Sequence, residues 1–481
     1  MERYDFAVIG SGAGGAGVAA RLVEGGASVL MAEKGGFTEV RPDAMESVNR
    51  YYFNGGYFTV FGNVLLGIPT GIAVGGTTTI NSGTCMKTPW PLLERWQERS
   101  RGRFQAQSFE RILDVVGEKI NMRRAPESTM SRSSRLILEG ARRLGIAGAH
   151  LLERCENGCQ GRGRCCFICP SGGKMTSYKA FLEPLRNHPR FHIKIRHELA
   201  DIEPAHRARG PARIRLRSLD TSRVETVECR ALILSAGALA TPYFVRRFQL
   251  GRNWRLAGDG LSVHPATKIF AHFDEPVEGW KGVPQGVGFT VEGQERVRFE
   301  GVYTPPELAA ITMPLEGRRL KWWMDRFGHV ATFGLMIQDE SRGRIRYPLG
   351  PGYPYVRYIM IEADRRRMLR AIRTVAEVFF AAGAKKVLLP VNRKANEFDS
   401  ARELGREDFS RARPQEIQMM AFHPLGTCAM GLVTDENLQI SPGIFICDGS
   451  VVPESLGVNP QMTIYAFALR LAEHLLKETL A

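Results

Sequence analysis

The chain has 481 residues, 44% hydrophobic and 24% charged, which is globular usage and excludes wholesale disorder. It is too long for one ordinary domain of about 100–200 residues. Its 65 basic and 50 acidic residues leave +15, but they are scattered, as in Arg365-Arg366-Arg367, with no basic tail and no nucleic-acid motif, so they read as a solvated surface with no nucleic acid as partner.

Residues 5–9 (Asp-Phe-Ala-Val-Ile) read as a short buried strand. Gly10, Gly12, Gly14 and Gly15 follow, then Ala16–Leu22 with helical character, then a strand Ala27–Ala32 ending in Glu33. This is a βαβ unit whose glycines allow a tight turn and close approach to a pyrophosphate at the helix N-terminus. Glu33 stands where an acid can hydrogen-bond a ribose hydroxyl. The pattern specifies a dinucleotide and leaves FAD and NAD open.

Residues 61–84 hold Gly62, Gly67, Gly71, Gly75, Gly76 and Gly83, with Thr77-Thr78-Thr79-Ile80-Asn81 among them. Backbone passing close to a flat ligand would need such a stretch. Helical spacing marks Leu93–Arg99, Phe109–Ile120 and Ser133–Leu144 as a helical insertion. Strands are expected at Phe191–Ile195, Ala212–Ser218 and Ala231–Leu234, the last leading into Ala236-Gly237 and a helix from Thr241-Pro242. An antiparallel sheet is expected from Thr267–Phe273, Arg298–Tyr303, Thr332–Gln338, Gly343–Tyr347 and Val356–Glu362. Helices are expected at Arg366–Ala382 and Thr463–Thr479.

Five of the nine cysteines fall between 155 and 169: Cys155, Cys159, Cys165, Cys166 and Cys169. A secreted disulfide scaffold would spread its pairs, so the cluster reads better as metal binding. Zinc would suit thiolates but lacks two separated CxxC pairs, and free thiols or disulfides remain open. The N-terminus shows no signal-peptide pattern and no stretch of about 20 apolar residues occurs, so cytoplasmic location is expected by default, with export alongside a signal-bearing partner left open. Leu320–Phe327 mixes aromatic and basic residues. It would serve as a lid, as a peripheral membrane-surface foot, or as a packed helix face.

The ordered set Gly10–Gly15 with Glu33, Gly71–Asn81, Leu232–Pro242, His423-Pro-Leu-Gly-Thr-Cys428, Cys447-Asp448-Gly449-Ser450 and Gly457-Val-Asn459-Pro460 resembles the glucose–methanol–choline (GMC) oxidoreductases. Within that family it looks most like the long-chain alcohol oxidase and cholesterol oxidase branches. The resemblance implies an α/β protein, α+β overall: a discontinuous Rossmann-like FAD-binding domain (1–95, 151–260, 418–481), a helical insertion (96–150) and an antiparallel-sheet substrate domain with helices (261–417). It implies FAD held by Gly10, Gly12, Gly15, Glu33, Gly75, Gly76, Thr77, Asn81, Ala236, Gly237, Asp448, Gly449, Pro460, Gln461 and Met462. Asp448 would also serve as an N-cap. His423 would be the base and Asn459 the hydrogen-bond partner of the substrate oxygen, because Asn stands where several members have a second His and cannot accept the proton. His264, also before a proline, is read as structural.

The spacing Cys159-x5-Cys165-x3-Cys169-Pro170 resembles FAD-dependent glucose dehydrogenase subunits that hold a three-iron cluster. That implies Cys159, Cys165 and Cys169 as ligands, with Cys155 or Cys166 as a fourth in a four-iron cluster. Electrons would then leave the flavin through iron to a cytochrome or ferredoxin. The alternative is a metal-free oxidase that uses oxygen. The substrate would be a small alcohol, a sugar or a lipid-like molecule.

Overall fold

Val8, Val29, Met31, Leu232 and Ile233 are wholly buried, the mark of strands covered on both faces. They lie in a parallel sheet. Glu2–Ile9 runs between Val29–Glu33 and Val224–Leu234, and Phe191–Ile195 and Ile444–Ile446 extend the row on either side. The computed structural model describes residues 2–41, 43–56, 60–203, 212–302, 304–393 and 395–480. Helix Ala13–Glu24 makes the first crossover and packs on the last helix, Gln461–Leu480. Both helices begin earlier than the spacing suggests. Val224–Leu234 is also longer than expected, because its first half pairs antiparallel with Ala212–Ser218. That strand pairs in turn with His197–Glu203, a charged segment that carries no strand signal of its own.

The second large sheet runs Glu397–Phe398, Lys386–Leu388, Pro265–His272, Val330–Ile337, Val297–Glu300, Val287–Phe289, His150–Leu151, with antiparallel neighbours. One face is apolar: Ile269, Ala271, Phe289, Phe299, Phe333 and Leu335 belong to a core packed under helices Arg132–Arg143 and Glu362–Ala382. Residues alternate faces along a strand, so Lys268, Arg298, Glu300 and Met336 occupy the other side.

Three expectations are corrected. Gly343–Arg346 and Tyr355–Tyr358 lie outside this sheet, in a four-stranded sheet with Asp259–Leu261 and Val60–Gly62. The strand expected to reach Glu362 stops at Tyr358, because Glu362 and Asp364 open the following helix, where acidic groups suit the N-terminal dipole. The strand expected over Arg298–Tyr303 ends at Glu300, and Tyr303 lies outside the described residues.

Residues 96–150 divide between the two cores. Trp90–Arg99 and Ala106–Lys119 join the first, where Trp96, Phe104 and Phe109 surround Phe467 of the last helix. Arg132–Arg143 joins the second. Leu320–Phe327 is a packed helix face: Trp323 is buried and donates Nε1–H to Glu397 at 2.8 Å, and Phe327 stacks on Trp280. No helix among the described residues is long and apolar enough to cross a membrane.

Candidate active site

The first strand ends in a loop built by close backbone contact. Gly10 has φ +103°, and a Cβ on Gly15 would meet its carbonyl oxygen at 1.9 Å. A Cβ on Gly14 would lie 1.8 Å from the carbonyl oxygen of Cys447. Gly12 caps helix Ala13–Glu24 without a side chain, and a Cβ there would meet nothing within 4 Å. The first-turn amides therefore face an open edge, a ready anion site. Glu33 is buried and locks this loop. Its Oε2 accepts from the Ser11 N–H (2.9 Å) and hydroxyl (2.6 Å), and its Oε1 from the Gly35 N–H (2.7 Å).

The glycine-rich segment crosses over the loop. Gly75 and Gly76 have φ +98° and +53°, and a Cβ on Gly76 would lie 2.8 Å from the Gly12 Cα. The Gly75 N–H donates to Ser11 Oγ at 2.9 Å, and Thr77 Oγ1 accepts from the Gly71 N–H at 3.0 Å. Asn81 donates through Nδ2 to Gln461 Oε1, so this segment grips the start of the last helix. Pro460 precedes that helix and Met462 is buried in its first turn. On the far side Asp448 caps the turn Gly449–Val451 by accepting the Ser450 N–H at 2.8 Å. Its other oxygen accepts from the Gly237 N–H (2.9 Å) and the Thr241 hydroxyl (2.5 Å), which fixes the turn at Ala236-Gly237.

These segments leave buried polar atoms without partners among the described residues: Ser235 Oγ, Ser450 Oγ and Asn459 Oδ1. Such atoms, beside an uncapped helix end, fit a polar dinucleotide.

His423 does not stand alone. Its Nδ1 lies 3.1 Å from Nδ1 of His264, with the rings edge to face at 79°. Nε2 of His264 accepts two backbone N–H groups, from Leu456 (2.9 Å) and Gly457 (3.0 Å). Burial pushes the His264 pKa down to about 3, with Arg342 adding to the effect, and burial followed by His264 pushes that of His423 well below its ordinary value. Both rings are neutral. With Nε2 of His264 occupied as an acceptor, its proton sits on Nδ1 and is donated to Nδ1 of His423. The proton of His423 then sits on Nε2, away from His264. The resting pair presents an N–H, whereas the expected base at that nitrogen requires the opposite tautomer. His264, read from sequence as structural, holds His423 directly. Asp339 fixes its backbone by accepting from the His264 N–H (3.3 Å) and the Ser455 hydroxyl (2.6 Å).

Asn459 Nδ2 donates to Glu300 Oε1 at 3.4 Å. Glu300 is buried, its Oε2 has no partner among the described residues, and burial raises its pKa to about 7 while Arg298 opposes the rise. No motif marks Glu300. Only its placement on the polar face of the second sheet brings it to Asn459.

The cysteines stay in one neighbourhood without converging as ligands among the described residues. Cys155 Sγ accepts from Gln461 Nε2 at 3.3 Å, and the thiol of Cys85 beside it holds Cys155 below the ordinary thiol range, at about 6. Cys165 Sγ accepts from the Arg154 guanidinium at 3.4 Å. Cys159 Sγ takes the Gly161 N–H at 3.5 Å, Cys169 Sγ meets Ser171 Oγ at 3.4 Å, and burial lifts Cys166 to about 11. Lys174 Nζ sits among them, donating to the carbonyls of Thr79, Asn81 and Cys165 at 2.7–2.8 Å. Among the described residues no three His, Cys, Asp or Glu side chains converge as ligands for a metal ion. The cluster expected from spacing does not fit these thiols as folded: Cys155, Cys159 and Cys165 each take a separate donor, from Gln461, Gly161 and Arg154, and no three thiols converge as ligands among the described residues.

Family and structural comparisons agree with this architecture. The family model described as GMC oxidoreductase matches residues 48–266 with its N-terminal part and 339–468 with its C-terminal part. An uncharacterised GMC-type oxidoreductase of Mycobacterium tuberculosis is 32% identical over 490 residues, covering 98% of this chain and 76% of its own. A long-chain-alcohol oxidase of Arabidopsis thaliana is 25% identical, covering 97% of this chain and 66% of its own. Pyridoxine 4-oxidase from Mesorbium loti superposes with TM-score 0.74 at 18% identity, covering 98% of each chain. A formate oxidase of Aspergillus oryzae, studied for its FAD modification, superposes with TM-score 0.73 at 14% identity, covering 99% of this chain and 98% of its own. With two-part family coverage and a full-length relative above 30% identity, the chain belongs to the GMC oxidoreductases.

Proposed function

We propose that the protein is an FAD-dependent alcohol oxidase. The observation that carries this reading is the pairing of His423 with His264 beside Asn459 and Glu300, in a chain whose nucleotide loop has an uncapped helix end and orphaned polar atoms around it. FAD would be held by Gly10, Gly12 and Gly15 at the pyrophosphate, by Glu33 at the ribose edge, by Gly75, Gly76, Thr77 and Asn81 along the crossing segment, and by Ala236, Gly237, Asp448, Gly449, Pro460, Gln461 and Met462 around the remainder. Bound there, the flavin supplies a hydride acceptor for the carbinol carbon.

The residues handle the other half of the alcohol. His423 donates its Nε2–H to the hydroxyl oxygen and stabilises the charge that develops as the proton leaves. Asn459 Oδ1 and Glu300 Oε2 are the unpartnered acceptors on the site, and Glu300 is the one able to take a proton. Its raised pKa suits that role near neutral pH. Asn459 positions Glu300 by donating to its other oxygen.

Names among the relatives, a long-chain-alcohol oxidase and pyridoxine 4-oxidase, support an alcohol as substrate and oxygen as acceptor. A dehydrogenase reading with an iron–sulfur relay to a cytochrome or ferredoxin rests on cysteine spacing alone, and among the described residues the thiols do not converge as a ligand set. The test is anaerobic mixing of the flavin-loaded protein with a primary alcohol. Bleaching of the flavin, then recovery of colour with one peroxide per alcohol when oxygen is admitted, is expected. A protein that refuses FAD, or a flavin that no alcohol bleaches, overturns the reading. Iron in anaerobically purified protein would restore the relay.

A further inference from the structure

On the polar face of the second sheet two half-buried cations lack ion-pair partners among the described residues. Residues alternate faces along a strand, and Ile269 and Ala271 point into the core, so Ala266 and Lys268 of Pro265–His272 share the opposite face, while His264 precedes the strand at φ +50°. In register, Lys268 pairs with Gly334 and Gly334 with Glu300, while Ala266 pairs with Met336 and Met336 with Arg298. Lys268, Arg298 and Glu300 therefore look the same way, and Glu300 touches Asn459.

Lys268 Nζ has one hydrogen-bond acceptor, Thr304 Oγ1 at 2.6 Å, and Arg298 has a buried Nε with none. Neither forms an ion pair within 4.0 Å among the described residues. Lys174 is the contrast: more deeply buried, it is saturated by three carbonyls, as a purely structural lysine should be. The half-buried Lys268 ammonium, with the Phe270 ring 5.5 Å away, keeps two N–H groups free for an anionic acceptor. Burial accordingly brings the Lys268 pKa down to about 7.

The same face is closed just beyond Lys268. Phe270 packs there with Ala309, Met313, Trp323 and Phe327, under helix Gly317–Asp325. Lys268 stands two strands from Glu300 in the same row, about 10 Å at about 4.8 Å per strand. Lys268 and Arg298 outnumber the one carboxylate of that row, Glu300, which favours an anionic ligand.

We propose that the substrates of this enzyme are alcohols carrying a carboxylate, with the hydroxyl at His423 and Asn459 and the carboxylate on Lys268 and Arg298, on the order of 10 Å away. The proposal rests on the alcohol-oxidase reading and names its substrate class. The carboxylate tail supplies the acceptors that Lys268 and Arg298 lack, and Phe270 with its covering helix ends the track.

The test compares ω-hydroxydecanoate with n-decanol, and uses decanoate, which has no hydroxyl, as an unreactive probe in calorimetry. The hydroxy acid should be preferred about tenfold in kcat/KM, mainly through KM, as one enclosed charge pair provides. Decanoate should bind the holoenzyme, and Lys268→Met and Arg298→Gln, made separately in case one fails to fold, should each weaken that binding about tenfold and bring the preference towards one. Equal use of both alcohols, or decanoate binding untouched in both variants, overturns the proposal. Failure of the alcohol-oxidase reading looks different: decanol would not bleach the flavin at all, whereas decanoate binding does not depend on turnover.

Discussion

The chemistry of this site depends on a few hydrogen bonds at nitrogen and oxygen atoms. Two backbone N–H groups fix the tautomer of His264, and His264 fixes that of His423. Moving the proton-accepting role to Glu300 gives a pH prediction. Burial raises its pKa to about 7, Arg298 on its own strand opposes this, and Asn459, Gln285 and Arg154 also face it, with Lys268 two strands away. The carboxylate form accumulates as pH rises through about 7, so the anaerobic bleaching rate should climb from pH ~6 to ~8 and then level. Glu300→Gln should keep FAD, lose that limb and slow bleaching by about 10²-fold. Stopped-flow absorbance at several pH values checks this, and an unchanged profile would return the proton to another group.

At the scale of elements, the nucleotide site is a crossing of two backbones. The segment 71–83 passes so close over Gly12 that a Cβ at Gly76 has no room, and Gly76 also sits at φ +53°. Gly76→Ala is expected to fold but to hold FAD at least tenfold more weakly, because the crossing must open by several tenths of an ångström. Gly14→Ala is the stronger lesion, since its Cβ would meet a carbonyl oxygen of the neighbouring strand end at 1.8 Å. Flavin fluorescence released on dilution measures both. An Ala at 76 that retains FAD as the parent does would show that the crossing is not tight in solution.

At the scale of the whole molecule, the last helix joins the regions. It carries Gln461 at its start and Phe467 in its second turn, and Phe467 packs against Phe109 at 4.8 Å and Trp96 at 5.8 Å between ring centroids. Helices from the middle of the chain thus brace an element from its end. Phe109→Ala should cost about 3–5 kcal/mol, as large-to-small changes in a closed aromatic core do. Because the braced helix also grips Asn81, flavin release and loss of helical signal should coincide on heating. Separate transitions would mean that the helix is held at its N-terminus independently of this cluster.

The sequence alone determined the βαβ nucleotide unit, the order of the glycine-rich and His–Pro segments, and most strand and helix centres. Those features are local: turn glycines, apolar runs and helical spacing act between neighbours along the chain. It could not reveal that His264 and His423 touch across 159 positions, that Glu300 and Lys268 share a sheet face, or that cysteines close in sequence do not converge as metal ligands among the described residues. Such facts depend on strand register and on which side of a strand a residue falls. A shift of one position would send Glu300 into the apolar core and Phe299 to Asn459, so the place of the proposed proton acceptor was decided by the packed sheet and not by any motif.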